Sequence, residues 1–378
     1  MISARQLNRA TLQRQLLLAR ESLGVVEAVR RVVALQAQEP ASPYIALWNR
    51  LRGFDSADLD AAFASHAIVK AQLLRVTLHA VAAEDYPQLH EAMQRTLRGA
   101  RLYDRRFRSE GLTPADADAL IPDAVAYASP PRSNAEMEAW LERRFGGPKP
   151  FVWWALRQYG PFVHAVTGPP WSFGPRPAYT GAPEQKRPND PAASWRHLVL
   201  RYLEGFGPAA VADVGTFGLL YRPPLHEAFA ELARTGQIER VGTHGKLQLH
   251  DLPGRALPDE DTPAPPRLMA MWDSALLAYA ERDRIIPPEL RRHVIRSNGD
   301  VLPTLLVDGY VAGVWRPTEQ GIEATALRQL SAGDWRGLDE EARALRAFLA
   351  DREPLVYRRY GRWWPMLPAA EVRVLGGG

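Results

Sequence analysis

A chain of 378 residues, 46% hydrophobic and 24% charged, has the make-up of a folded protein of two to four compact units and excludes a disordered one. With no cysteine it can hold no disulfide, iron–sulfur cluster or thiolate zinc site. Its net charge is +4, and only four of its 47 basic residues (Lys70, Lys149, Lys186 and Lys246) are lysine; the rest are arginine, suited to phosphate and equally the mark of GC-rich coding.

The opening residues, MISARQLNRA, lack the apolar core of a signal peptide, and no apolar run reaches the roughly 20 residues of a membrane span, so a cytoplasmic protein is expected. Ser3-x-x-Gln6 reads as a capping box ahead of a first helix. A second helix is expected over 25–35, two short ones over 44–51 and 56–64, and short strands over 68–74 and 76–81. Helices followed by a small hairpin is the winged-helix order.

Ser133-x-x-Glu136 repeats the capping signal, with Gly146-Gly147 closing that helix. Another helix over 153–159 and a strand over 162–167 follow, and with a loop carrying Trp171 and Phe173 they are expected to form a second wing. The proline- and glycine-rich stretch 169–191 reads as a surface loop. Helices over 195–203, 209–217 and 224–234, then a hairpin around Thr243-His244-Gly245, form the clearest copy. Gly207-Pro208 is placed as the opening of the middle helix, with proline at its first turn.

Beyond a linker at 258–266 come a strand–Asp308-Gly309–strand signal, a helix over 338–350, and strands over 355–360 and 371–375. The expected fold is mainly α with small β wings (α+β): winged-helix units over 1–125, 126–190 and 191–258, then a β-rich, barrel-like domain over 259–378. The nine histidines show no metal-ligand spacing, so no metal is expected.

Ala34-Leu35-Gln36-Ala37-Gln38-Glu39-Pro40 with Ser42-Pro43-Tyr44 resembles the AlkZ/YcaQ family of DNA glycosylases. Thr77-Leu78-His79, Gly207-Pro208-Ala209, Trp272-Asp273 and Asp308-Gly309 ahead of Gly313-Val314-Trp315 agree in order and spacing. The resemblance implies three tandem winged helices in a C-shape, a C-terminal β-rich domain, a monomer and no cofactor. It implies excision of bulky or crosslinked alkylated purines from double-stranded DNA, with Gln36 and Gln38 as the catalytic pair. Glu281-Arg282 stands where relatives commonly carry Asp-Arg, which weakens any role given to that position.

An N7-alkylated purine already carries positive charge and leaves readily. The enzyme then has to position a water and stabilise the sugar cation, and a glutamine carbonyl can accept a hydrogen bond from that water. Because Pro40 disfavours helix at Glu39, Gln36 and Gln38 are expected to converge at a frayed helix end, with Glu39 a lesser candidate base. Arg75, Thr77 and His79 are candidates to touch the phosphate or ribose beside the lesion. Arg98, Arg101 and Arg105, in an arginine run from Arg95 to Arg108, and His244 and Lys246 on the third hairpin are candidate DNA contacts. Nothing in the sequence marks Lys70 as desolvated, so a monofunctional enzyme that leaves an abasic site is expected, with self-resistance to a DNA-alkylating natural product as a fitting role. The competing reading is a winged-helix transcription regulator without catalysis.

Overall fold

The computed structural model describes residues 1–183 and 190–377, and the fold is α+β. Part of the expected loop 169–191, including Lys186, lies outside the described residues.

Helix Ala4–Arg14 begins at the capping box: the Ser3 hydroxyl accepts from Gln6 N at 3.0 Å, and the Gln6 carbonyl accepts from Ser3 N. The second helix, Val25–Val32, stops short of the expected 35. Val33 turns into the left-handed region (φ 73°), and the chain enters a short strand, Leu35–Gln36. Gln36 therefore sits on a strand and not at a frayed helix end. Leu35–Gln36 pairs with Leu78–Ala82, which pairs on its other side with Ile68–Gln72, giving a three-stranded antiparallel sheet. The link between the last two strands is a tight turn, Leu74–Val76, so the strand expected from 76 begins at Leu78. Helices Ser42–Arg50 and Ser56–Ala64 agree closely with the pattern.

Three helices follow, Tyr86–Leu102, Arg105–Arg108 and Pro114–Tyr127. The Ser133 capping box opens helix Asn134–Phe145, and Gly146 closes it at φ 68°. Helix Pro150–Tyr159 leads into strand Phe162–Ala165, which pairs with Ala178–Gly181. Part of the expected surface loop, 171–173, is not on the surface. Trp171 and Phe173 are buried, each with ring centroids 4.7 Å from an aromatic of the first unit (Tyr44 and Phe63). Aromatic area on this scale is too large to leave wet.

Helices Pro191–Phe206, Val211–Gly218 and Arg222–Arg234 precede the hairpin Glu239–His244/Leu247–Asp251. Pro208 does not open the middle helix. Ala210 is the cap, its N–H donating to the Asp213 carboxylate at 2.8 Å.

The last region is an open five-stranded antiparallel sheet, in the order Glu371–Leu375, Ile322–Ala326, Tyr310–Pro317, Thr304–Val307, Arg267–Leu268. It has two free edges, which corrects the barrel-like expectation. Helix Ala332–Ala350 packs against both edge strands. Asp308 and Gly309 supply the positive φ values (51° and 80°) that a tight hairpin turn requires. Residues 355–360 are not a strand. Tyr357 adopts φ 63° and a 3-10 helix, Arg358–Met366, follows, burying Tyr360 and Trp364.

Two large cores hold these parts together. One joins the first unit (Leu12, Tyr44, Leu47) to the last region (Leu268, Trp315, Leu345), and the other joins the middle helices (Met93, Trp153, Leu203, Phe217). Across the first core, the buried Arg50 guanidinium makes a bidentate pair with Asp273, both bonds 2.8 Å. Asn8 and Arg9 bond the Asp308–Gly309 turn, Asn8 Nδ2 donating to Gly309 O at 2.9 Å.

Candidate active site

Strand register decides what each side of the first sheet carries. Directly paired residues share a face. Gln36 and Ala71 both pair with His79; Lys70 pairs with Ala80 and Gln72 with Leu78. Gln36, Ala71 and His79 therefore lie on one face, and Lys70, Gln72 and Leu78 on the other.

The first face is closed by hydrogen bonds. Arg75 Nη2 donates to Gln36 Oε1 at 2.7 Å and lies 3.2 Å from His79 Nε2, while Nη1 donates to Phe217 O at 3.0 Å. Burial and the Arg75 charge push the His79 pKa well below its ordinary value, so the ring is neutral. Its Nδ1–H donates to Thr77 O at 3.1 Å, leaving Nε2 to accept from Arg75. Burial also draws Arg75 down to about 10. Arg75 and Val76 both have positive φ (53° and 59°), a costly backbone for a β-branched residue, which the guanidinium bonds hold in place. Since guanidinium only donates, Gln36 must present its oxygen to Arg75, which leaves its amide Nε2 without a protein partner among the described residues.

The second face opens on a cleft of about 620 Å³. Its walls come from the Gln38–Ala41 bend, from Lys70, Gln72 and Leu78 of the sheet, and from Trp154, Arg157 and Gln158 of helix Pro150–Tyr159. His164, Tyr179, Trp171, Phe173 and, from the last region, Glu353 and Arg359 complete it. Positive charge predominates. Arg157 is held by Asn134 Oδ1 (2.8 Å) and Tyr179 OH (3.1 Å). Arg101 and Arg106 lie over the Trp154 ring at 4.3 and 4.4 Å. Glu39 is tied to Arg359 and to Tyr360 OH. His164 is kept neutral by burial and by the nearby Lys70 and Arg157 charges.

The family model for AlkZ-like DNA glycosylases matches residues 29–348. The chain belongs to the AlkZ-like DNA glycosylases. An interstrand DNA cross-link repair glycosylase of Streptomyces sahachiroi is 24% identical over 363 residues, covering 90% of this chain and 95% of the relative. The solved structure of the Streptomyces sahachiroi DNA glycosylase AlkZ superposes with a TM-score of 0.78 at 21% identity, covering 93% of this chain and 98% of that one. Membership in this AlkZ-like family sets aside the reading as a regulator without catalysis.

Against that family frame, the motif glutamines part company. Gln38 is exposed on the cleft; Gln36 is buried and does not line it. Thr77, a candidate contact alongside His79, turns its hydroxyl back to Leu74 O at 3.0 Å. Arg75 and His79 are bonded to one another within the closed face, His79 buried and Arg75 half-buried, and neither lines the cleft. The arginine run is not one patch. Arg98 pairs with Asp118 at 2.5 and 2.8 Å, Arg101 lines the cleft, and Arg105 is exposed beside it in sequence but is not among the lining residues. His244 and exposed Lys246 sit on the third hairpin and do not line the cleft; His244 Nε2 is 4.0 Å from Asp283.

Lys70 corrects the sequence reading. It is buried, and desolvation draws its pKa down to about 8. No spacing rule marks a lysine whose partner is an aromatic ring more than 100 positions away. His164, Arg157 and Arg359 were also missed, because they come from separate elements. The one available signal was alternation: on a strand over 68–74, Lys70 and Gln72 share a face.

Proposed function

We propose that this glycosylase releases N7-alkylated purines, including bulky and crosslinked ones, from duplex DNA by hydrolysis, leaving an abasic site. The observation that carries this reading is the exposed Gln38 at the mouth of a roomy cleft with cationic and aromatic walls. The Gln38 carbonyl accepts from the attacking water, and Lys70, Arg101 and Arg157 set a field that favours the DNA backbone. Gln36 acts as a positioning residue: with its oxygen held by Arg75, it offers only a donor. An amide is too weak a base to drive loss of a neutral base, which restricts the substrate to lesions already charged at N7. A cleft of about 620 Å³ suits an adduct larger than methyl, as the name of the cross-link repair relative also suggests. A DNA-alkylating natural product would supply such an adduct, making self-resistance a fitting role. We read the three helix-and-hairpin stretches as winged helices that hold the duplex, in a monomer.

The test is duplex DNA with a single N7-alkylguanine, treated with alkali after incubation. Wild type is expected to yield cleavage at that position, and the Gln36→Ala/Gln38→Ala double variant to lose it. Cleavage undiminished in the double variant would move the chemistry to other residues.

A further inference from the structure

Lys70 adds charge to the cleft, but hydrolysis gives its amine no bond-making step. Its strand carries it on the open face, and the Nζ sits 4.5 Å over the Phe173 ring. It is 4% exposed and makes no hydrogen bond or ion pair with any described residue. Glu39, the carboxylate that attracts it, is occupied by Arg359 and Tyr360. From the neighbouring strand and helix it meets neutral His164, and Arg157 adds like charge. On the same wall, Gln158 Nε2 is a second buried donor without a partner among the described residues.

A ring face compensates a buried ammonium only in part. With its pKa drawn down to about 8, Lys70 is neutral amine for roughly one part in ten at pH 7, far more than an ordinary lysine. A desolvated neutral amine that opens on a cleft is a nucleophile for carbonyl carbon. Base release creates one such carbon, the open-chain aldehyde at C1′ of the abasic sugar.

We infer that Lys70 captures the abasic product as an imine, an inference that rests on the base-release reading above. The Nζ lone pair adds to C1′, and a proton moves from nitrogen to the former carbonyl oxygen. That oxygen leaves as water with a second proton from nitrogen, giving neutral C=N. Hydrolysis returns the same water and frees the lysine, so no redox partner is needed. The other described lysines have no comparable position: Lys149 Nζ donates to Glu110 O, and Lys246 is exposed on the hairpin.

The full chain is mixed with duplex DNA in which an abasic site has been made beforehand by removal of uracil, and borohydride is added. Reduction of an imine leaves a stable protein–DNA adduct on a denaturing gel. The expected adduct maps by peptide mass to Lys70 and falls at least about tenfold in Lys70→Met, which keeps the aliphatic stem over Phe173. No adduct with wild type overturns the inference, as does an adduct that maps to the N-terminal amine or another lysine. Should Lys70→Met fail to fold, the mapping on wild type decides alone. Because the abasic site is supplied ready-made, a failure here is separate from a failure of alkylpurine release.

Discussion

The two faces of the first sheet differ in how their polar groups are used, although a single step along a strand moves from one to the other. On one face, Arg75 bonds Gln36, His79 and Phe217 O, and its backbone is held in a left-handed turn. On the other, Lys70 Nζ lies over the Phe173 ring with no hydrogen bond to any described residue, and Gln38 is exposed. The closed face fixes geometry and the open face is left with unspent hydrogen-bonding and nucleophilic capacity. A motif two residues apart is split between these duties because the chain bends after Ala37, at Gln38 and Glu39.

The comparison breaks first at Arg75. Arg75→Ala leaves Gln36 Oε1 and the strained turn without support and is expected to cost about 3 kcal/mol in urea unfolding. A variant as stable as wild type would show the closed face to be no scaffold. Gln38→Ala is the converse, with stability within about 0.5 kcal/mol of wild type and base release about 10²-fold slower in single-turnover assays. Equal loss of stability at Gln38 would erase the distinction.

Acid tests both faces together. His79, facing Arg75, and His164, facing Lys70 and Arg157, both have pKa values pushed below the ordinary one. The unfolded chain takes up protons there below pH 6.5 while the folded chain does not, so stability falls as pH drops. Each group contributes about 1.4 kcal/mol per pH unit below that point. Thermal unfolding at pH 7.5 and 5.5 checks it, and His164→Gln should reduce the slope but not abolish it. The smallest effect is expected for Lys70→Met: unchanged stability or a gain of up to about 1 kcal/mol, since it removes a desolvated charge.

Much of this was legible locally. Ser3 and Ser133 announced their helices, Asp308-Gly309 its hairpin, and Gln36-Ala37-Gln38 the family. What escaped was set by long-range packing. Val33 takes a left-handed turn because Leu35 is drawn into a strand by Ala80, far along the chain. Residues 355–360 carry β-formers, yet Tyr360 and Trp364 are buried by a 3-10 turn against the last region. Lys70 gives no sign of burial in the sequence because the ring it lies over, Phe173, is on a stretch that reads as surface loop. Trp272-Asp273, part of the family resemblance, serves structure: Asp273 neutralises buried Arg50.

The core that unites the first unit with the last region bears on synthesis. Arg9 and Arg50 find their carboxylates only at Asp308 and Asp273. At 5–20 residues per second, roughly 15–60 s pass on the ribosome between Arg9 and Asp308. During that interval the apolar side of the first unit has emerged without the half of its core that the last region supplies. A nascent chain cut short before Asp273 would leave an apolar face uncovered and both guanidinium groups without their carboxylates.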